Sequence, residues 1–201
     1  MIRTWGWAAL LAAPGLLIGQ NYTAPTASDK LKAHALWVAG PYALASTAFG
    51  AGLLQLRNEP PEWRQGAAGY GRRFASLSGY LAVQNAIALG IDTSLHQDPR
   101  FRKSLETRFW PRAKDAISQT FIAHTDSGRR AFNYWEVGGN YGAGLISSAW
   151  YPCRYNSIGD GLIRGTVGLA YDALANVVQE FRPRFKKRRQ AMASPAGVSG
   201  P

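Results

Sequence analysis

"GYGRRFASLSGYLAVQNAIALGI", Gly69 to Ile91, is the stretch on which the fold turns. From Phe74 to Ile91 it carries no Asp, Glu, Lys or Arg, and its length predicts a helix. Gly71, Ala75 and Gly79 recur every four residues, which lines three small side chains along one ridge and lets another helix come close. Gln84 and Asn85 sit in the middle of the run, and two amides buried there need hydrogen-bond partners.

Upstream, "ALWVAGPYALASTAFGAGLL", Ala35 to Leu54, is a second uncharged run. Ser28 is placed to cap a helix beginning at Asp29, and Pro41 kinks that helix or splits it in two because its ring clashes with the preceding turn. "RNEPPEWRQG" ends that element, since Pro60-Pro61 cannot continue a helix and Gly66 reopens the chain. Downstream runs a basic connection with Arg100, Arg102, Lys103, Arg108, Arg112 and Lys114. A short amphipathic helix over 112–124 is expected next, with Ala113, Ile117, Phe121 and His124 on one side. The Gly- and aromatic-rich segment 131–151 reads as a further helix, with Trp135, Gly138, Gly142, Leu145 and Ala149 at helical spacing.

The last helix, Ile158 to Phe181, is capped by Asn156 or Ser157. Asp160, Arg164, Gly168, Asp172, Asn176 and Glu180 recur every four residues as one polar stripe, which demands protein or water beside it. Leu162, Leu169, Ala173, Val177 and Phe181 cover another face, and Gly161 and Gly165 form a second small-residue pair. The expected architecture is mostly α: a bundle of four to five helices with Gly/Ala-mediated close packing, one domain over 28–181. Gly71, Ala75, Gly79, Gly161 and Gly165 are the helix-packing residues. No period of 20 to 50 residues speaks for a solenoid.

Composition constrains the surroundings. The 201 residues carry a net charge of +11, and Gly reaches 22. The positive charge fits an anionic membrane surface, an acidic envelope polymer or nucleic acid. The first residues pair Arg3 with a short apolar stretch, Trp7 to Ile18, broken at Pro14-Gly15. That pattern fits a signal peptide over 1–20, with an undefined cut site, better than a membrane span of about 20 apolar residues. Segment 182–201 is a basic tail of disordered composition. Its Arg182, Arg184, Lys186, Lys187, Arg188 and Arg189 suit contact with an anionic surface.

Chemistry-bearing motifs are scarce. "SLHQDPRF", 94–101, and "AHTDSGRR", 123–130, each hold a His-x-Asp followed by Arg. His96, Asp98, His124 and Asp126 form the one plausible metal-ligand set, although the spacing matches no established ligand motif. Both units sit where a helix is expected to stop, so turn and cap chemistry is the preferred reading: Asp98 precedes Pro99, and Asp126-Ser127-Gly128 is turn-forming. There is no G-x-S-x-G and no P-loop Lys, and Cys153 has only Arg154 as an evident activator. No cofactor is implied.

At "EWRQGAAGYGRRFA", "SLHQDPRF", "AHTDSGRR", "ISSAWYP" and "DALANVVQEFRP", over about 60–183, the chain resembles a family of uncharacterised bacterial envelope proteins with HQDPR and HTDSG motifs. That resemblance implies a small, exported, helical protein and no mechanism. The expectation is therefore a non-enzymatic, membrane-associated protein of the bacterial cell envelope with a structural or interaction role. Its partners would be membrane lipids or another envelope protein, or a second copy of itself, rather than nucleic acid. The alternative is a soluble periplasmic binding module or metal-dependent enzyme built on the paired His-x-Asp turns.

Overall fold

The computed structural model describes residues 23–182. It is mostly α-helical: α1 Ala27–Ala39, α2 Pro41–Arg57, α3 Gly66–Ser94, α4 Phe109–Ser118, α5 Tyr134–Ser147 and α6 Ile158–Phe181. Pro41 splits the first rod rather than kinking it. It stands at the first position of α2, where its missing N–H costs nothing. With α1 and α2 counted as one rod, the described residues form a five-helix bundle, within the expected four to five.

Helix starts follow cap chemistry. Ser157 caps α6, its Oγ accepting from Asp160 N while the Asp160 carboxylate accepts from Ser157 N. Thr26, not Ser28, caps α1 by the same reciprocal pair with Asp29. The hydrogen bonds from Thr26 hold the Asp29 carboxyl below its ordinary range. After α2, the fully buried Arg73 guanidinium donates to the backbone oxygens of Glu59, Pro60 and Arg64 and to Gln55 Oε1. One side chain thereby satisfies the carbonyls of a turn that Pro60-Pro61 leaves without a helical ladder.

The rods alternate in direction. Lys30 Nζ on α1 donates to Asp92 O near the end of α3 (3.0 Å), and Tyr70 OH near the start of α3 donates to Ala48 O of α2 (3.1 Å). On α5, Gly139 lies on Gln84 and Ala88 of α3, while Trp150 Nε1 beyond its end donates to Ser76 Oγ (3.0 Å). On α6, Gly161 lies on Gly144 and Leu145 of α5. The start of α1, the end of α3, the start of α5 and the end of α6 therefore share one end. Here α4 packs on α6, and a small antiparallel sheet of β1 Gln97–Asp98, β2 Ile122–Thr125 and β3 Arg130–Phe132 closes the bundle.

That sheet corrects the expected helix over 112–124. The helix ends at Ser118, and Ile122 to Thr125 are extended, pairing Ile122 with Phe132 and Ala123 with Ala131. Ala113 and Ala116 form the buried side of α4, whereas Ile117 and Phe121 are exposed. The helix expected over 131–151 begins at Tyr134, after β3.

The distribution of side chains is inverted relative to most globular domains. Buried hydrophobic positions are Ala43, Ala51, Ala88, Ala113, Ala116, Ala123, Ala143 and Leu169, almost all too small to fill a core. The largest fully buried side chains include Arg73, Gln97, Asn133, Asn140, Asp92 and Glu180. Large apolar side chains lie outside: Leu44, Phe49 and Leu56 on α2, and Ile163, Val167, Leu174 and Val178 on α6. Exposed single apolar residues are ordinary; so many of them around a polar interior are not.

Candidate functional site

The polar interior begins on α3, where Gln84 and Asn85 find the partners their burial demands. Gln84 Nε2 donates to Asp172 Oδ2 on α6 (3.0 Å), and Asn140 Nδ2 on α5 donates to the same oxygen (2.8 Å). Asn140 Oδ1 accepts from Tyr80 OH (3.0 Å), and its Nδ2 also donates to Glu136 O (3.0 Å). The Glu136 carboxyl faces that of Asp172. One buried cluster thus draws on α3, α5 and α6.

A second cluster lies between α1 and α3. His34 Nε2 meets Asp92 Oδ2 at 2.9 Å and Nδ1 meets Asn85 Oδ1 at 2.8 Å. The Asn85 amide is fixed in that orientation because its Nδ2 donates to Leu81 O (2.9 Å). The His34 ring packs edge-on against Trp37 and Trp135, which stack on each other. Lys30, 3% exposed, donates to Asp126 Oδ2 at 3.1 Å and thereby ties α1 to the closing sheet.

The α6 stripe faces inward along its length. Arg164 donates to Ser147 Oγ and to Tyr155 O beyond α5. Gly168 lies against Asn140 and Tyr80, and Asn176 Nδ2 donates to Thr120 Oγ1 (3.3 Å). Glu180, 1% exposed, accepts from Arg112 Nε (2.7 Å) and from Ser104 N (3.0 Å). Protein supplies what the stripe requires.

The two His-x-Asp units, which nothing in the sequence brings together, are neighbours in the sheet. Gln97 pairs with Thr125 and Asp98 with His124, and Asp126 N donates to His96 O (2.6 Å). The first unit does end a helix. His96 takes the left-handed conformation (φ 52°) just after α3, and the chain turns into β1. The second does not: it runs along β2 into the β2–β3 hairpin, where Gly128 has φ 82°. The expectation that both units terminate helices is corrected there.

Asp98 is buried and accepts from Arg100 N (3.0 Å), Arg100 Nε (2.9 Å), Arg100 Nη2 (2.9 Å) and Arg102 Nη2 (3.3 Å). Burial pushes its carboxyl up, but the hydrogen bonds and charge of the two arginines outweigh it and hold the group below its ordinary range. Burial and the nearby charges of Arg102 and Arg130 hold His124 below its ordinary value. His96 is exposed, with Nδ1 3.6 Å from Asp126 Oδ2. Among the described residues no three His, Cys, Asp or Glu side chains are grouped to hold a metal. The arrangement is a salt-bridged clasp.

The two small-residue ridges differ. A Cβ on Gly165 would stand 3.0 Å from Tyr141 Cα and 3.2 Å from Asn140 O, so α5 and α6 touch backbone to backbone. A Cβ on Gly71 would meet nothing within 4 Å, Ala75 is exposed, and Gly79 faces only the Trp150 ring. Arg182 is exposed, and its carbonyl accepts from Lys103 Nζ (2.7 Å). Arg184, Lys186, Lys187, Arg188 and Arg189, and the whole of segment 1–20, lie outside the described residues. Sequence reading missed the Glu136–Asp172 contact and the Lys30–His34–Asp92 cluster; the uncharged run's two amides and the α6 stripe were the signals pointing to them. Set against family models, curated proteins and solved structures, the chain matches none.

Proposed function

We propose that the chain is a non-enzymatic, membrane-associated protein of the bacterial cell envelope, its bundle seated in lipid with a structural or interaction role. The observation that carries this reading is a belt. Segments 35–56, 74–91, 137–153 and 165–179 carry no Asp, Glu, Lys or Arg except Asp172. The contacts of Gln84 with Asp172 and of Trp150 with Ser76 support a common height for these stretches. Phe74–Ile91 rises about 27 Å at 1.5 Å per residue, close to the roughly 30 Å of a bilayer's hydrocarbon core. α3 is long and apolar enough to cross a membrane, and only 22% of its most apolar window is buried in the bundle. A helix serving as a soluble core would be mostly covered.

Inside the belt the charged and amide groups are paired within the protein, as lipid requires, and small residues line the α5–α6 seam. The basic α4 connection and the Arg182 end of α6 sit together beyond one edge of the belt, where they would meet headgroups. Export rests on the signal-like start, and the envelope location rests on that and on the family resemblance. Lipids are the first partners, with another envelope protein or a second copy as occupants of the remaining apolar face.

Fractionating cells that express the full chain, with an alkaline wash of the membranes and mass measurement of the mature N-terminus, tests both parts. A processed chain that resists the wash and needs detergent is the expected result. A chain released by the wash, or free in the periplasm, overturns the lipid-seated bundle; an unprocessed start overturns cleavage.

A further inference from the structure

Glu136 stands in the first turn of α5 and is 8% exposed; Asp172 faces it from α6. Their carboxyl groups face each other closely enough to interact, and a hydrogen bond between them requires a proton on one. The surroundings identify which. Asp172 Oδ2 accepts two amide N–H bonds, from Gln84 and Asn140, and the Asn140 amide cannot be reversed without losing its bonds to Glu136 O and Tyr80 OH. Asp172 is thus placed as the carboxylate and Glu136 as the donor.

The facing groups from each packed element are few. α2 brings Tyr42, whose hydroxyl lies within the field of Asp172; α3 brings Tyr80 and Gln84, and α6 brings Asp172. Arg164, further along α6, is engaged by Ser147 and Tyr155 O. On the side of α1, His34 lies against Trp135 and is engaged by Asp92 and Asn85. Among the described residues, no Lys or Arg forms an ion pair with either carboxyl. The backbone is shaped around the cluster: a side chain at Gly168 would overlap Asn140 Oδ1 and Tyr80 OH.

We propose that Glu136 and Asp172 form a binding site for a single proton inside the bundle, carried by Glu136 and held against the Asp172 carboxylate. The ligand is a proton rather than a metal cation because the lone pairs of Asp172 Oδ2 already face two N–H donors, whose positive ends oppose a cation. Loss of the proton leaves two like charges facing each other, one of them on the buried Glu136, and so weakens the α5–α6 contact. The two groups titrate as a pair. The site stands apart from the lipid reading.

The test is infrared spectroscopy of the purified full chain in detergent, following the protonated-carboxyl stretch with pH, beside thermal melting. The wild type is expected to show that band at neutral pH, and E136Q to lose it. The amide that E136Q introduces can donate to Asp172 in place of the proton. The wild-type melting temperature should fall at alkaline pH as the band disappears, while E136Q stays flat over the same range. A wild type without the band, or a band that E136Q leaves unchanged or only halves, overturns the proposal. So does a band displaced by titrating sodium or calcium at fixed pH. Should E136Q not fold, D172N serves: a shifted band supports the contact, and an unshifted band overturns it.

Discussion

The α5–α6 seam and the start of α3 carry the same sequence signature and meet opposite fates. Gly161 and Gly165 press onto Gly144, Leu145 and Tyr141 with no room for a side chain, whereas Gly71 opens onto empty space. Spacing four residues apart permits a close approach; only a partner arriving at that height uses it. The partner for α6 is fixed because its inward stripe must reach Asn140, Thr120 and Arg112. The Gly71 ridge has no such polar registration, and α2 crosses α3 through Gly50 and Leu77 instead.

Breaking the seam should have the largest effect. Gly165→Leu must displace the Tyr141 backbone, so we expect loss of a cooperative melting transition, well beyond the usual cost of about 1–3 kcal/mol for overpacking. Retention of the transition in calorimetry would show that the seam is looser than drawn. The His-x-Asp units offer the next contrast. Asp126→Asn, although that carboxylate is partly exposed, leaves the buried Lys30 ammonium without its ion-pair partner and should cost about 3 kcal/mol. Asp98→Asn strips the charge facing two partly exposed arginines, which water can solvate, and should cost less, about 1–2 kcal/mol. Equal losses in denaturant titration would remove the asymmetry between the two strands.

A smaller effect concerns His124, whose folded-state affinity for a proton is lowered by burial and by Arg102 and Arg130. Unfolded His titrates near pH 6.5. Its contribution is therefore complete above that value and is lost as pH falls through it, because the unfolded chain takes up the proton more readily. His124→Gln should flatten melting temperature on the acid side of about pH 6.5; an unchanged slope would place the acid sensitivity elsewhere. The smallest effect belongs to Gly71→Leu, expected to be neutral or to gain up to about 1 kcal/mol from helix propensity. Marked destabilisation, or a change in the size of the detergent-solubilised particle, would reveal an occupant on the ridge.

Much of this was legible locally. Ser157 and Asp160 announce the start of α6, Pro41 the break between α1 and α2, and Gln84 and Asn85 the need for buried partners. The three short strands were not legible, because Gln97-Asp98 and Arg130–Phe132 are too brief for a period to register and exist only through pairing with Ile122–Thr125. Thr26 displaced Ser28 as the cap of α1 because only Thr26 stands three residues before an acid that can bond back to it.

By itself the sequence determined the number of long helices, their breaks, and the uncharged length of each, because caps, prolines and charge act within a turn or two of where they stand. Tertiary structure alone decided which face of each helix is inside. Nothing local distinguishes a polar stripe that meets water from one that meets Asn140, Thr120 and Arg112, since the two differ only in what another part of the chain brings to it. The same holds for Glu136 and Asp172: thirty-six positions separate them in the chain, and only the antiparallel seam makes them neighbours.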